Sequence, residues 1–205
     1  MPEKPEGLRF GPLSDRRRHI CVDMQRMFAE KTDWQTPWMK RIAPVVTRLA
    51  TLEAERTIFT RFIPAARAGE GLGSWRRYYE RWACMTLESL DPAMLRLLPE
   101  LEALCPPARI FNKRCYSPWV ASKLHSLPRL QDVDTLIISG GETDVCVLGA
   151  VMGAVDLGYR VVIAVDAVCS SSDETHDATL KLYARRYSMQ IETAETDEII
   201  EACRR

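Results

Sequence analysis

The sequence predicts an α/β chain, a three-layer α/β/α sandwich around a six-stranded, mostly parallel, doubly wound sheet. Three observations carry that expectation. Six short apolar or β-branched runs alternate with segments whose apolar residues recur at helical spacing. Thr135 to Ala167 reads strand, turn, helix, strand within about 30 residues, the outline of a right-handed βαβ unit. A chain of 205 residues, 46% of them hydrophobic, is large enough to cover both faces of a sheet.

Residues 1–17 carry three prolines and mixed charge, and are expected to form an irregular lead-in to one domain spanning 18–205. The Arg16-Arg17-Arg18 run reads as a solvated strand entry. His19 to Met24 is the first strand, with Asp23 where the strand runs into the next loop. A carboxylate there either caps a turn or is paired, since burying it alone is costly. A loop holding Trp34, Pro37 and Trp38 follows. Residues 39–54 then place Ile42, Val45, Val46, Leu49 and Leu52 at helical spacing. Glu55 to Phe62 is the second strand, and glycines 69, 71 and 73 mark a turn.

The stretch from Trp75 to Trp82 concentrates aromatic and arginine side chains. It is expected either to line a pocket or interface, or to pack an aromatic stripe on the core. Asp91-Pro92 starts a short helix. Arg109 to Lys113 is a third strand, ending in a lysine that needs a partner or a task. Ser117-Pro118 is expected to open a helix, with proline at its first position.

In the central unit, Leu136 to Ile138 is a buried strand, and Gly140-Gly141 the turn after it. Val145 to Leu157 is a helix apolar nearly all round, stopped by Gly158, and Arg160 to Val165 is the next strand. Ser170 to Ser172 with Asp173 caps a helix reaching about Tyr187, which contains His176 in a structural role. Met189 to Ala194 is the last strand, and Thr196-Asp197 opens a C-terminal helix.

Composition narrows the function classes. Lys plus Arg and Asp plus Glu both number 28, so no global basic field argues for nucleic acid. No apolar run reaches membrane-spanning length and no signal-peptide core is present, so neither a nucleic-acid nor a membrane partner is expected, and a cytoplasmic location is. Seven cysteines without a CxxC pair suit reduced thiols. Three histidines, His19, His125 and His176, leave little material for a histidine-built metal site.

Cys146 falls in the first turn of the helix that follows the strand. A helix start lowers a thiol's pKa, and the carboxyl edge of a parallel sheet is where open α/β folds bind ligands. A buried structural thiol fits that position equally well. Asp23 and Lys113 share the address, because parallel strands point their C-terminal ends the same way. A thiol, a carboxylate and an ammonium in one crevice make a nucleophilic site: Asp23 takes the thiol proton, and Lys113 balances charge and stabilises thiolate.

These residues resemble those of the isochorismatase-like cysteine hydrolases, which include nicotinamidases, N-carbamoylsarcosine amidases and ureidoacrylate amidohydrolases. The segments that carry the resemblance are VDMQ with Asp23, FNKRCYSPW with Lys113, and GGETDVCV ahead of a small-residue helix, over roughly residues 18 to 195. The resemblance implies Asp23, Lys113 and Cys146 as a triad. It also implies a cis peptide at Gly141-Glu142, and an oxyanion hole from the N–H groups of Glu142 and Cys146. The implied reaction is thiolate attack on an amide or ureido carbonyl of a small molecule, then hydrolysis of the acyl-enzyme.

Two departures refine it. Nicotinamidases hold a metal through an Asp and histidines after the second strand, where this chain has TRFIPAARAGEG, so no catalytic metal and no cofactor are expected. True isochorismatases lack the thiol nucleophile. Arg61 is the candidate for a substrate carboxylate, with Trp75, Arg77, Tyr78 and Tyr116 as candidate pocket walls. A homo-oligomer, dimer or tetramer, is expected from the family and the aromatic-rich middle. Two other readings compete: a catalytically idle binding or assembly module of the same fold, and a mononucleotide binder using the GGETD turn. That turn lacks both the GxGxxG and the GxxxxGK[ST] patterns.

Overall fold

Every strand of the sheet runs parallel to its neighbours, in the order β3-β2-β1-β4-β5-β6. The structure, a computed structural model, describes residues 5–120, 124–127 and 130–204. The strands are β1 (Arg17–Val22), β2 (Thr57–Phe62), β3 (Arg109–Lys113), β4 (Thr135–Gly141), β5 (Arg160–Cys169) and β6 (Ile191–Ala194). The helices are α1 (Arg26–Ala29), α2 (Met39–Leu52), α3 (Ser74–Arg81), α4 (Pro99–Glu102), α5 (Leu148–Asp156), α6 (Asp173–Arg186) and α7 (Thr196–Cys203).

Alternation along the strands sorts the core into two layers. Cys21, Phe59, Ile137 and Val162 face Ile42, Val46 and Leu49 of α2 and Ile199 of α7. Ile20, Ile58, Ile138 and Ile163 face Val151 and Ala154 of α5 and Tyr183 of α6. The strand order reverses direction between β1 and β4. That is the switch point where a crevice opens at the carboxyl edge of such sheets. β4 approaches β1 closely there: Gly140 has φ +106, and a Cβ on it would stand 2.1 Å from the Val22 carbonyl oxygen.

The structure moves several predicted boundaries. β1 begins at Arg17, and Arg17 is buried, not solvated, in a bidentate pair with Glu53 at 2.9 and 3.0 Å. β5 runs on to Cys169, with a register shift against β4 after Ile138. No helix opens at Ser117-Pro118: residues 114–120 are bends and a turn, and 121–123 lie outside the described residues. That segment lies flat on α5 instead. Trp119 Nε1 donates to the Ala150 carbonyl at 2.7 Å, and a Cβ on Gly153 would meet its ring at 2.2 Å. The small residues of α5 make room for this packing, which replaces helical hydrogen bonding.

The lead-in drapes over the last strand and helix. Gly7 N–H donates to the Thr193 carbonyl at 2.9 Å, and Leu8 N–H to Glu198 at 2.8 Å. No helix among the described residues is long and apolar enough to cross a membrane.

Candidate active site

Asp23 leaves β1 in the left-handed region, φ +49, a conformation that Asp tolerates better than most residues. This turns its carboxylate beneath the crevice, where Oδ1 accepts from Thr60 Oγ1 at 2.6 Å. Lys113, at the end of β3, reaches past Phe62 to place Nζ 2.6 Å from Asp23 Oδ2. The ammonium also lies 5.2 Å from the Phe62 ring centroid and donates to the Cys115 carbonyl at 3.1 Å. Both charged groups are about 1% exposed. Burial pulls the Lys113 pKa down, but the Asp23 carboxylate and the neighbouring Cys146 outweigh it, and the net shift is upward.

Cys146 sits beside both, close enough that Lys113 pulls its pKa down and Asp23 pushes it up. Its turn, Thr143–Val147, is π-helical and precedes α5. Single-turn π segments recur at functional sites. Neighbouring side chains lock this one in place. Asp144 accepts from Ser170 and Thr175 in the loop and first turn that lead into α6, and Thr143 Oγ1 meets His176 Nδ1 at 2.8 Å. His176 therefore holds the turn and does not reach the crevice chemistry. Burial raises the thiol pKa well above the ordinary range, and the opposing pull of Lys113 does not restore it.

The Gly141-Glu142 peptide bond is cis. The Glu142 carbonyl accepts from Val145 N–H at 3.1 Å and Val147 N–H at 2.9 Å. No backbone carbonyl among the described residues takes the N–H of Glu142. The Glu142 carboxylate lies along the wall, accepting from Thr36 Oγ1 at 3.3 Å and Ser171 N–H at 3.0 Å.

A cavity of about 350 Å³ opens over the thiol. Tyr78 and Tyr116 line it, as the sequence suggests. Trp75 stands behind them, its ring 5.3 Å from Tyr78 and 5.0 Å from Tyr116, and Arg77 is exposed on α3 outside the lining. Arg61 is also outside it. Thr60 faces Asp23 and Phe62 faces the cavity, while Arg61 Nε pairs with Asn112 Oδ1 on the neighbouring strand at 3.0 Å. Trp82, from the aromatic stretch expected either to line a pocket or to pack on the core, lines it too, whereas sequence reasoning missed Trp34 and Phe28 as walls. The Trp-Pro loop around Trp34 was the available signal, but nothing local aims that ring at the crevice.

Among the described residues, no group of three or more His, Cys, Asp or Glu side chains is placed to hold a metal ion. Thr60 to Gly71, where the resemblance to nicotinamidases would call for histidine ligands, has none. The residues present do not fit that metal.

The fold is an isochorismatase-like α/β sandwich. The family model for the Isochorismatase domain matches residues 18–195, and the chain belongs to that family. The fold is shared with a cysteine hydrolase from Pseudomonas syringae pv. phaseolicola 1448A, with a TM-score of 0.82 at 23% identity over 100% of this chain and 99% of that one. It is also shared with N-carbamoylsarcosine amidase from Thermoplasma acidophilum, with a TM-score of 0.70 at 16% identity over 88% and 96%. Maleamate amidohydrolase from Pseudomonas putida is 28% identical over 81 residues, 38% of each chain. The chain matches its curated relatives over about two fifths of their length.

Proposed function

We propose that this protein is a cysteine amidohydrolase that cleaves an amide or ureido C–N bond of a small molecule through a thioester. The observation that supports it most directly is the buried Lys113–Asp23 pair, 2.6 Å apart, closed against the Cys146 thiol at the floor of a cavity. Buried ion pairs are a weak source of stability, so one beside a thiol is better accounted for by chemistry.

The resting thiol is protonated, because burial disfavours the thiolate. Asp23 accepts that proton as sulfur attacks the carbonyl carbon, and Lys113 keeps the local charge balanced. The oxyanion of the tetrahedral intermediate is received by the N–H groups of Glu142 and Cys146. Losing one such donor typically costs about 3 kcal/mol. As the intermediate collapses, Asp23 passes its proton to the departing nitrogen and the C–N bond breaks. Water then attacks the thioester with Asp23 as base, releasing the carboxylic acid and restoring the thiol. Every step uses side chains and N–H groups of the chain itself.

The test is ammonia release from a panel of small amides and ureido compounds by wild type, Cys146→Ala and Asp23→Asn. Turnover by wild type should fall at least about 10³-fold in Cys146→Ala, with trapping of a substrate-derived acyl group on Cys146 detectable by mass spectrometry. Turnover that survives Cys146→Ala unchanged would remove the thiol from the mechanism. Proteins of this fold that only bind would release no ammonia and form no adduct.

A further inference from the structure

The polar groups that line the cavity are all acidic or neutral. Asp33 and Glu142 carry carboxylates, Tyr78 and Tyr116 hydroxyls, and no Lys, Arg or His side chain is among the lining residues. The one ammonium beneath the site, Lys113, is neutralised by Asp23. Neither Asp33 nor Glu142 has an ion-pair partner within 4 Å among the described residues. The Asp33 carboxylate instead accepts from the Cys84 thiol at 3.0 Å. With Arg61 turned to the outer side of β2, no cationic side chain among the lining residues is placed to receive a carboxylate.

Around these acids the walls are rings. Trp34 is central: Phe62 and Tyr78 each lie 5.9 Å from it between centroids, Phe28 6.1 Å and Trp82 6.4 Å. The Phe62 and Trp82 rings stand steeply to Trp34, at 66° and 68°, so the surfaces meet as corners and not as one flat stack. The fold already sets cations on two of these rings, Lys113 over Phe62 and Arg81 over Trp82, each at 5.2 Å. A concavity walled by rings, with the exposed Asp33 carboxylate at its edge, attracts an organic ammonium through the ring quadrupoles and the negative charge.

We propose that the substrate is an amide whose far end is an ammonium, preferably alkylated, seated in the cavity against the rings that line it, with Asp33 as counter-charge. The reaction is ordinary hydrolysis: the amide C–N bond breaks, water supplies the hydroxyl of the new acid and a proton to ammonia, and the ammonium end is unchanged. This substrate class rests on the amidohydrolase reading for turnover, but not for binding.

The experiment compares three amides of equal chain length, ending in trimethylammonium, in tert-butyl and in carboxylate. Two readouts are taken: ammonia release by wild type, and calorimetric binding to Cys146→Ala. The trimethylammonium amide should bind about tenfold more tightly than its tert-butyl isostere, and the carboxylate amide more weakly than both. In wild type the order of kcat/KM should be the same. Asp33→Asn should remove most of the preference for charge, and Trp34→Leu should weaken the trimethylammonium amide most, with both variants keeping wild-type thermal unfolding within a few degrees. Equal binding of the charged and tert-butyl amides, or preference for the carboxylate, overturns the proposal. Cation-selective binding to Cys146→Ala with no turnover by wild type would overturn the amidohydrolase reading and leave the substrate pocket standing. Turnover without selectivity would do the reverse.

Discussion

At the scale of single residues, burial decides ionisation more often than sequence position does. Cys146 stands at a helix start, yet its thiol is raised by burial, against the pull of Lys113. Iodoacetamide should therefore label Cys146 slowly at neutral pH, with the rate climbing into the alkaline range, and Lys113→Met should slow it further. Rapid labelling at pH 7 would show that the thiol is ionised at rest. His19 is the second case. Its Nε2 meets Ser139 Oγ at 2.8 Å and its Nδ1 meets Thr57 Oγ1 at 3.0 Å, while the Thr57 hydroxyl donates to the Glu53 carbonyl. The Thr57 oxygen is thus the acceptor and His19 is the neutral Nδ1–H tautomer. Burial pushes its pKa down to about 3. As pH falls below 6.5 the unfolded chain takes up a proton that the native state refuses, so stability present above that pH is progressively lost. Between pH 6.5 and 5.0 His19 should account for a loss of about 1.5 kcal/mol. His176, also lowered by burial, adds to it with the same sign. Urea unfolding at the two pH values should show a smaller difference in His19→Asn, and an unchanged difference would place the loss elsewhere.

At the scale of elements, close approaches position the site. β4 lies against β1 because Gly140 carries no side chain and adopts φ +106. Gly140→Ala puts a methyl 2.1 Å from the Val22 oxygen and 2.7 Å from its nitrogen, both backbone atoms that cannot turn aside. The expected cost is at least about 3 kcal/mol, from overpacking and a strained φ together. Denaturant unfolding of this variant is the check. Gly153→Ala is the milder companion, because the Trp119 ring it would strike at 2.2 Å is a side chain. It should loosen residues 114–120 and, through Tyr116, raise KM more than it lowers kcat. Much of this layer was legible from sequence. The apolar runs located all six strands, and the Ser172 cap and Gly158 stop were read from local chemistry, which acts within one turn. The π turn under Cys146 was not, because it depends on Asp144 and Thr143 finding partners in the β5–α6 connection and the first turn of α6.

At the scale of the whole molecule, Arg17 ties distant parts of the chain together. Its guanidinium pairs with Glu53 after α2, donates to the Ser14 carbonyl at 2.9 Å, and reaches the Cys203 carbonyl of α7 at 3.2 Å. Arg17→Met should destabilise by about 3–5 kcal/mol, because it strands the buried Glu53 carboxylate. Arg17→Met with Glu53→Leu should recover most of that, measured by urea unfolding. A double variant no better than the single would mean that the carbonyl contacts matter more than the ion pair.

The sequence by itself determined the strand count, the alternation with helices, and the placing of Asp23, Lys113 and Cys146 at strand ends. Those features are periodic or local, and a parallel sheet turns shared strand ends into shared space. Which side chains surround the thiol was decided only by the tertiary structure. Arg61 and Phe62 are adjacent in the chain, but the two-residue repeat of a strand sends one outward and the other into the cavity. Trp34 comes from a turn, Tyr78 from the short helix α3 and Trp82 from the residue that ends it, so their convergence depends on how those segments pack against one another. The charge of the cavity follows from the same packing. It is acidic because the fold buries Lys113 against Asp23 and leaves Asp33 and Glu142 facing the rings.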